Sequence, residues 1–266
     1  MDAADIKAAA QALDNAEQTR NQIGLLSLAH PDISMEDAYA IQAAWMEHKR
    51  AAGRSVIGWK IGLTSKAMQA ALNIDTPDSG VLLDDMRFGD GAEIPPERFI
   101  QPRIEAEIAF VMKHPLQGPG VTLFDVLNAT DYITPALEIL DTRILRKDPA
   151  TGQARNVYDT IADNAANAGI VTGGRPMRPD DADMRWLGAI VSRNASIEET
   201  GLGAAVLNHP ATGIAWLANR LGEYGNSIEA GQIVLSGSFI RPIETSHGDT
   251  ISADYGPMGS VSCYFA

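Results

Sequence analysis

Two glutamates one residue apart, in the stretch RIEAEIAF (Arg103–Phe110), are the first residues whose types and spacing point to chemistry. Read as a strand, the segment alternates: Ile104, Ala106, Ile108 and Phe110 on one face, Arg103, Glu105, Glu107 and Ala109 on the other. Neighbouring like charges repel, so the second face is either solvated or holds a cation. A third acid, Glu138, sits in the apolar run of TPALEILDTR, where a carboxylate is expensive unless paired or bound to metal. Three carboxylates with no clustered histidine or cysteine suit a hard cation, Mg²⁺ or Mn²⁺. The plainer alternative is a solvated Glu-x-Glu face, with Glu138 paired to Arg143 or another base.

Lys60 is the next such residue. In SVIGWKIGL, read as a strand, Ile57, Trp59, Ile61 and Leu63 share one face, and Val56, Gly58, Lys60 and Gly62 share the other. Glycines in a strand mark the close approach of a ligand or another backbone, so Lys60 is either an exposed side chain beside a bulge or a working one. A cation nearby would lower its pKa. Asp78 lies in TPDSG, which reads as a turn with a capping aspartate. SGSF, Ser236 to Phe239, ends an apolar run with small residues that either offer N–H groups to a carboxylate or form an ordinary turn. Asn164 and Asn167 read as cap or loop hydrogen-bonding groups. The five histidines are dispersed, without zinc spacing or a nucleophile–histidine pattern.

These side chains need elements to hold them. Ala4 to about Arg20 reads as a helix, broken by SLAHPDIS with Pro31. Ser34, with Asp37 three residues on, forms a capping-box pattern for a second helix that ends at Gly53. That helix carries Ala38, Ile41, Trp45 and Met46 near one face, so it must dock. Beyond Gly53 come SVIGWKIGL as a strand, a short helix from Ser65, a loop through IDTPDSG, and many short apolar runs broken by Gly, Pro, Asn and Asp. One further helix, HPATGIAWLANRLGEYG, has Pro210 near its start and Gly222 or Gly225 near its end. Short strands with few intervening helices argue against a doubly wound sheet and for a mixed, rolled one behind a helical N-terminal part.

The 266 residues, 45% hydrophobic, suffice for one large domain or a domain with an appendage. The formal charge of -13 and the lack of basic runs exclude a nucleic-acid binder of the usual kind. No signal-like or membrane-spanning run is seen, so a cytoplasmic protein is expected, without membrane partners. The lone cysteine, Cys263, lies in SVSCYF and reads as a buried thiol in a strand.

Seven stretches carry a resemblance: GWKIGLTSKAMQ, TPDSGVLLDDM, FIQPRIEAEIAFVM, LFDVLNATDYITPALEILDTR, DTIADNAANAGIVTGG, VLNHPATGIAWLANRL and GQIVLSGSFIRPI. From about residue 30 to the C-terminus the chain resembles the bacterial hydratases of meta-cleavage pathways, in the hydratase/decarboxylase branch of the fumarylacetoacetate hydrolase superfamily. The resemblance implies an α+β fold. Its core is a mixed rolled β-sheet or irregular β-barrel over residues 55–266, behind a helical part over residues 1–54. It implies Glu105, Glu107 and Glu138 as ligands of Mg²⁺ or Mn²⁺, and Lys60 and Asp78 as catalytic residues. Where Ser79 stands, the commonest form of that loop has an aromatic residue, a departure that bears on pocket shape.

The implied reaction is addition of water to a 2-oxo-enoate, the tautomer of a 2-hydroxy-dienoate, in aromatic catabolism. An unsaturated seven-carbon dicarboxylate is the preferred substrate, and a homo-oligomer is the implied assembly. Its far carboxylate needs a cation, for which Arg143, Arg146, Arg155 and Arg241 are available; Arg155, Ser236 and Ser238 are taken as candidate substrate-binding residues. Alternatives on the same scaffold are a 4-oxalocrotonate-type decarboxylase and a five-carbon dienoate hydratase. A carbon–carbon hydrolase lacks its glutamate–histidine pair here. A non-catalytic partner subunit is the alternative of another class.

Overall fold

The structure, a computed structural model, describes residues 1–71, 74 and 76–266. Its helices are α1 (Ala3–Thr19), α2 (Leu26–Ala29), α3 (Met35–Ala51), α4 (Lys66–Ala71), α5 (Leu123–Ala129), α6 (Val157–Ala162) and α7 (Pro210–Glu223). The strands are β1 (Val56–Gly62), β2 (Asp78–Leu83), β3 (Arg87–Gly89), β4 (Ala92–Ile94), β5 (Arg103–Met112), β6 (Thr130–Leu140) and β7 (Asn167–Thr172). They continue with β8 (Gly188–Arg193), β9 (Ser196–Leu202), β10 (Ile233–Leu235), β11 (Ile243–Glu244), β12 (Thr250–Asp254) and β13 (Ser260–Phe265). Eight strands form one mixed sheet in the order β2-β1-β10-β5-β6-β7-β3, with β11 on β5; five form a second, β4-β13-β12-β8-β9. The fold is α+β with curled mixed sheets, as expected.

Local chemistry explains the helical part. Asp2 caps α1 by accepting from the N–H groups of Ala4 and Asp5, and Ser34 with Asp37 closes a capping box on α3. The stretch between, expected only to break the first helix, also winds the single turn α2. Leu13, Ile41, Trp45 and Met46 are buried together with Val81, Leu83, Met86, Ile144 and Ile161, so the helices share a core with β2 and α6. Burying each such side chain contributes about 2 kcal/mol.

The eight-stranded sheet is buried on both faces, which the alternating pattern of the sequence did not convey. One face of β5 (Ile104, Ala106, Ile108, Phe110) packs into the main core with Ile61, Leu137, Ile139, α7 and the second sheet. The other face carries a smaller apolar cluster of Leu82, Ala109, Ala136, Ile170, Ile233 and Leu235. On that same face, farther along the strands, stand Lys60, Glu105, Glu107 and Glu138. An apolar plug thus closes one end of the curl and an acidic cluster occupies the other.

Tyr255, buried just after β12, locks the two strands that carry the acids. Its hydroxyl accepts the Glu107 N–H at 3.0 Å and reaches the Ala136 carbonyl at 2.7 Å, while its ring meets Phe239 edge-on. Tyr255→Phe leaves a buried N–H and a carbonyl short of a partner and is expected to lower unfolding stability by about 1–3 kcal/mol, read from a denaturant melt.

Candidate metal centre

Register places the acids. Glu105 on β5 lies directly opposite Glu138 on β6, and Glu107 opposite Ala136. One carboxylate oxygen from each of Glu105, Glu107 and Glu138 lies within 4.8 Å of the others. Glu107 and Glu138 are fully buried, and Glu105 keeps some solvent contact. The solvated-face alternative is therefore excluded.

The pairing of Glu138 with Arg143 is excluded too. Arg143 donates instead to Asp163, at 2.6 Å from Nε and 2.9 Å from its backbone N–H. The cation beside Glu138 is Lys60, whose Nζ is 3.5 Å from Oε1. On β1, Lys60 is buried, not the exposed side chain of the plainer reading. Burial alone would lower its pKa, but Glu138, Asp78, Glu105 and Glu107 more than offset it and hold the ammonium above the ordinary lysine range. The lowered lysine pKa considered from sequence is for a lysine beside a bound cation; without one the direction is upward.

Asp78 is not in a turn. It begins strand β2 opposite Gly62 and is buried. A side-chain carbon at Gly62 would fall 2.2 Å from Asp78 Oδ1, so only glycine lets the aspartate lie over β1 beside Lys60. Helix α3 aligns the start of β2: the Tyr39 hydroxyl accepts the Ser79 N–H at 3.2 Å, and Gln42 donates to the Ser79 carbonyl and to the Ile161 carbonyl, both at 2.9 Å. From the other side Asn164 grips Val81, accepting its N–H and donating to its carbonyl, and Asn167 donates to the same carbonyl. Asn164, Ala165 and Ala166 all take left-handed backbone angles to do so, with φ of 53°, 52° and 60°.

The SGSF loop supplies its N–H to the protein's own acid. Gly237 donates to Glu107 Oε2 at 2.7 Å. Its φ of +114° and a would-be Cβ contact of 2.2 Å with Thr64 Oγ1 require glycine there. Ser236 is buried with its hydroxyl unpartnered among the described residues, whereas Ser238 bonds the carbonyl and N–H of Ile240 within its own turn. Arg155 lies outside the acidic trio, donating to Thr142 Oγ1 at 2.8 Å and 3.9 Å from Asp163. Sequence reasoning did not find Tyr39, Gln42 and Tyr255. Gln42 beside Ile41 on an otherwise apolar helix face is the one signal that was available.

A hard dication fits these residues. Glu107 Oε1 and both oxygens of Glu138 are buried without a hydrogen-bond partner among the described residues. Burial, and next the Glu138 charge, push Glu105 up to about 8; burial pushes Glu107 and Glu138 up as well, with Lys60 opposing. Such carboxylates lack a countercharge that one ammonium does not supply, and an oxygen-only donor set suits Mg²⁺ or Mn²⁺.

Fold and site together define a class: α+β enzymes that present a carboxylate trio for a divalent cation on a curled mixed sheet. No family model matches the chain. It is 59% identical to the 2-oxo-hept-4-ene-1,7-dioate hydratase of Escherichia coli over 256 residues, 96% of each chain. It is 39% identical to the 2-keto-4-pentenoate hydratase of Paraburkholderia xenovorans (strain LB400) over 257 residues, 97% of this chain and 93% of the relative. The solved 4-oxalocrotonate decarboxylase from Pseudomonas putida G7, complexed with magnesium and adipate, superposes with a TM-score of 0.94 at 36% identity over 100% of this chain and 99% of that one. The chain belongs to the hydratase/decarboxylase family of the fumarylacetoacetate hydrolase superfamily.

The raised carboxyl pKa values give metal binding a pH signature. Unfolded glutamates titrate near about 4.3, so a folded value of about 8 for Glu105 contributes stability that is full below pH ~4 and lost as pH rises toward 8. The site's own contribution without metal therefore weakens between about pH 5 and pH 8, whereas Mg²⁺ favours the ionised trio. Thermal melts with and without Mg²⁺ are expected to show a larger Mg²⁺-induced rise in Tm at pH 8 than at pH 6; an equal shift at both would contradict this site.

Proposed function

We propose that this protein is a divalent-metal-dependent hydro-lyase. It adds water to 2-oxohept-4-ene-1,7-dioate, the tautomer of a 2-hydroxy-dienoate, to give 4-hydroxy-2-oxoheptanedioate. The carrying observation is the buried trio Glu105, Glu107 and Glu138, with unpartnered oxygens, on one face with Lys60 and Asp78. The 59% identity to a hydratase named for that substrate supports the choice among related chemistries.

Glu105, Glu107 and Glu138 would hold Mg²⁺ or Mn²⁺. When bound, the cation supplies a Lewis acid for the 1-carboxylate and 2-oxo oxygens of the substrate. The rest is proton management by the chain itself. A 2-hydroxy-dienoate must gain a proton at C5 as its enol oxygen loses one, which makes C4 electrophilic; water then attacks C4, and C3 is protonated. In this reading Lys60 gives the proton to C5 and is recharged by the enol proton, and the proton lost by the attacking water is the one returned to C3. Asp78, whose Oδ1 is buried without a partner among the described residues, is the acceptor that takes the proton from the attacking water. Without a cation the carboxylates around it keep Lys60 charged. The free Ser236 hydroxyl is a further donor toward the substrate, whereas the Ser238 hydroxyl serves its turn. The helical part, residues 1–54, serves the core of residues 55–266 by fixing β2. The same reading carries a cytoplasmic homo-oligomer working on a small dicarboxylate. No helix among the described residues is long and apolar enough to cross a membrane.

Turnover of 2-hydroxyhepta-2,4-diene-1,7-dioate, followed by ultraviolet absorbance with and without Mg²⁺ and by product mass, tests the proposal. A metal-dependent gain of water is expected; loss of CO₂ would move the protein to the decarboxylase branch. Lys60→Met is expected to lower kcat by about 100-fold or more, as general acid–base residues do, while Mg²⁺ affinity measured by calorimetry does not fall. Parallel loss of both would remove the proton-transfer role.

A further inference from the structure

A cluster of guanidinium groups stands beside the acidic face, and it joins Arg146 and Arg155, named from sequence as available for a far carboxylate, to Arg103, which was not. Arg103 precedes Glu105 by two residues on β5, so the two share a face with Cα atoms about 7 Å apart. The chain leaving β6 returns in a short hairpin, where Lys147 pairs with Ala154 and the Arg155 N–H donates to the Arg146 carbonyl at 3.0 Å. Arg146 and Arg103 converge on one carboxylate oxygen of Glu244, at 3.6 Å and 2.6 Å.

Arg146 also donates to the Gln101 carbonyl at 2.8 Å, but the cluster is thinly partnered. The Glu244 side chain is 70% exposed, and an exposed pair of that kind is weak and exchangeable. The Nε atoms of Arg103 and Arg146 are buried with no hydrogen-bond partner among the described residues. Arg155, 20% exposed at its side chain, has Thr142 at 2.8 Å and the already bridged Asp163 only at 3.9 Å. Burial, with Arg143 and Arg103 as like-charged neighbours, holds Arg155 below the ordinary arginine range, and Asp78 feels its charge. A group of guanidiniums in this state attracts an anion.

The charge balance of the acidic face says which anion. Four carboxylates against one ammonium and one dication leave a net negative charge, and a dianionic substrate adds to it. Its second carboxylate therefore needs cations of its own. Extended, a seven-carbon diacid spans about 7.5 Å between its end carbons, from six bonds of about 1.5 Å each.

We propose that Arg103 and Arg155 seat the far carboxylate of a dicarboxylate substrate, with Glu244 yielding Arg103 when the substrate arrives. Arg103 and Arg155 are then specificity-determining residues, separating diacids from the monoacids that related hydratases are named for. A cleft of about 520 Å³ lined by residues 94–102, Arg146, residues 244–247, Phe265 and Ala266 shares Arg146 and Glu244 with this cluster and no residue with the acidic face.

This inference rests on the 2-oxo acid reading above, and calorimetry separates the two. The Mg²⁺-loaded protein is titrated with 2-oxoheptanedioate and with 2-oxoheptanoate, which differ only at the far end. The wild-type protein is expected to prefer the diacid, and Arg103→Gln and Arg155→Gln each to lower that preference by about 10- to 100-fold, the worth of a charge-assisted hydrogen bond. Arg103→Lys, which keeps the charge, is expected to retain part of it, and melting curves check that each variant is folded. A preference that survives in both glutamine variants overturns the seat. Failure of both ligands to bind the wild-type protein overturns the 2-oxo acid reading itself, and the seat with it.

Discussion

Mutual repulsion between Glu105 and Glu138, set face to face by the register of β5 and β6, is the constraint around which the structure is organised. Opposite positions on adjacent strands hold side chains about 5 Å apart, and like charges there oppose pairing. The fold tolerates the pair because much else enforces the register. Tyr255 ties the backbones beneath Glu107, the apolar clusters on both faces fix which side chains point where, and Lys60 supplies one countercharge. A one-residue slip would send the acids into the main core, which no arrangement of neighbours would compensate.

The remaining charge imbalance makes a structural liability a candidate cation site. Unpartnered buried oxygens are rare in native proteins because each forfeits its hydration. Here they converge, and the surrounding elements hold them in place: the Gly237 N–H holds one oxygen of Glu107, Gly62 makes room for Asp78, and α3 aligns Ser79 through both its N–H and its carbonyl. The helical part is thus an element of the site's support as well as a cover for the core.

How much of this the sequence discloses depends on range. Glu105 and Glu107 are legible because a period-two pattern with two acids is visible within eight residues, and Glu138 because a carboxylate amid Leu and Ile is conspicuous. The capping boxes and glycine punctuation likewise reveal their elements locally. Asp78 misleads, since TPDSG has the composition of a turn while β1 recruits it as a strand. The partner of Glu138 misleads for the same reason: Arg143 is near in sequence, but Asp163 claims it, and Lys60 arrives from β1 instead. The burial of both sheet faces, the Tyr255 clamp and the arginine group all arise from contacts among residues separated by tens to more than a hundred positions. No window of sequence contains them.

Gln42 bridges Ser79 and Ile161, 37 and 119 residues away, while Glu107 waits for Gly237, 130 residues downstream. Such separations carry a loop-closure entropy that is offset only once distant partners are present. On the ribosome the acids of β5 emerge long before the loop that restrains them. The Gly237 N–H therefore reaches Glu107 Oε2 only once the C-terminal part of the core is in place.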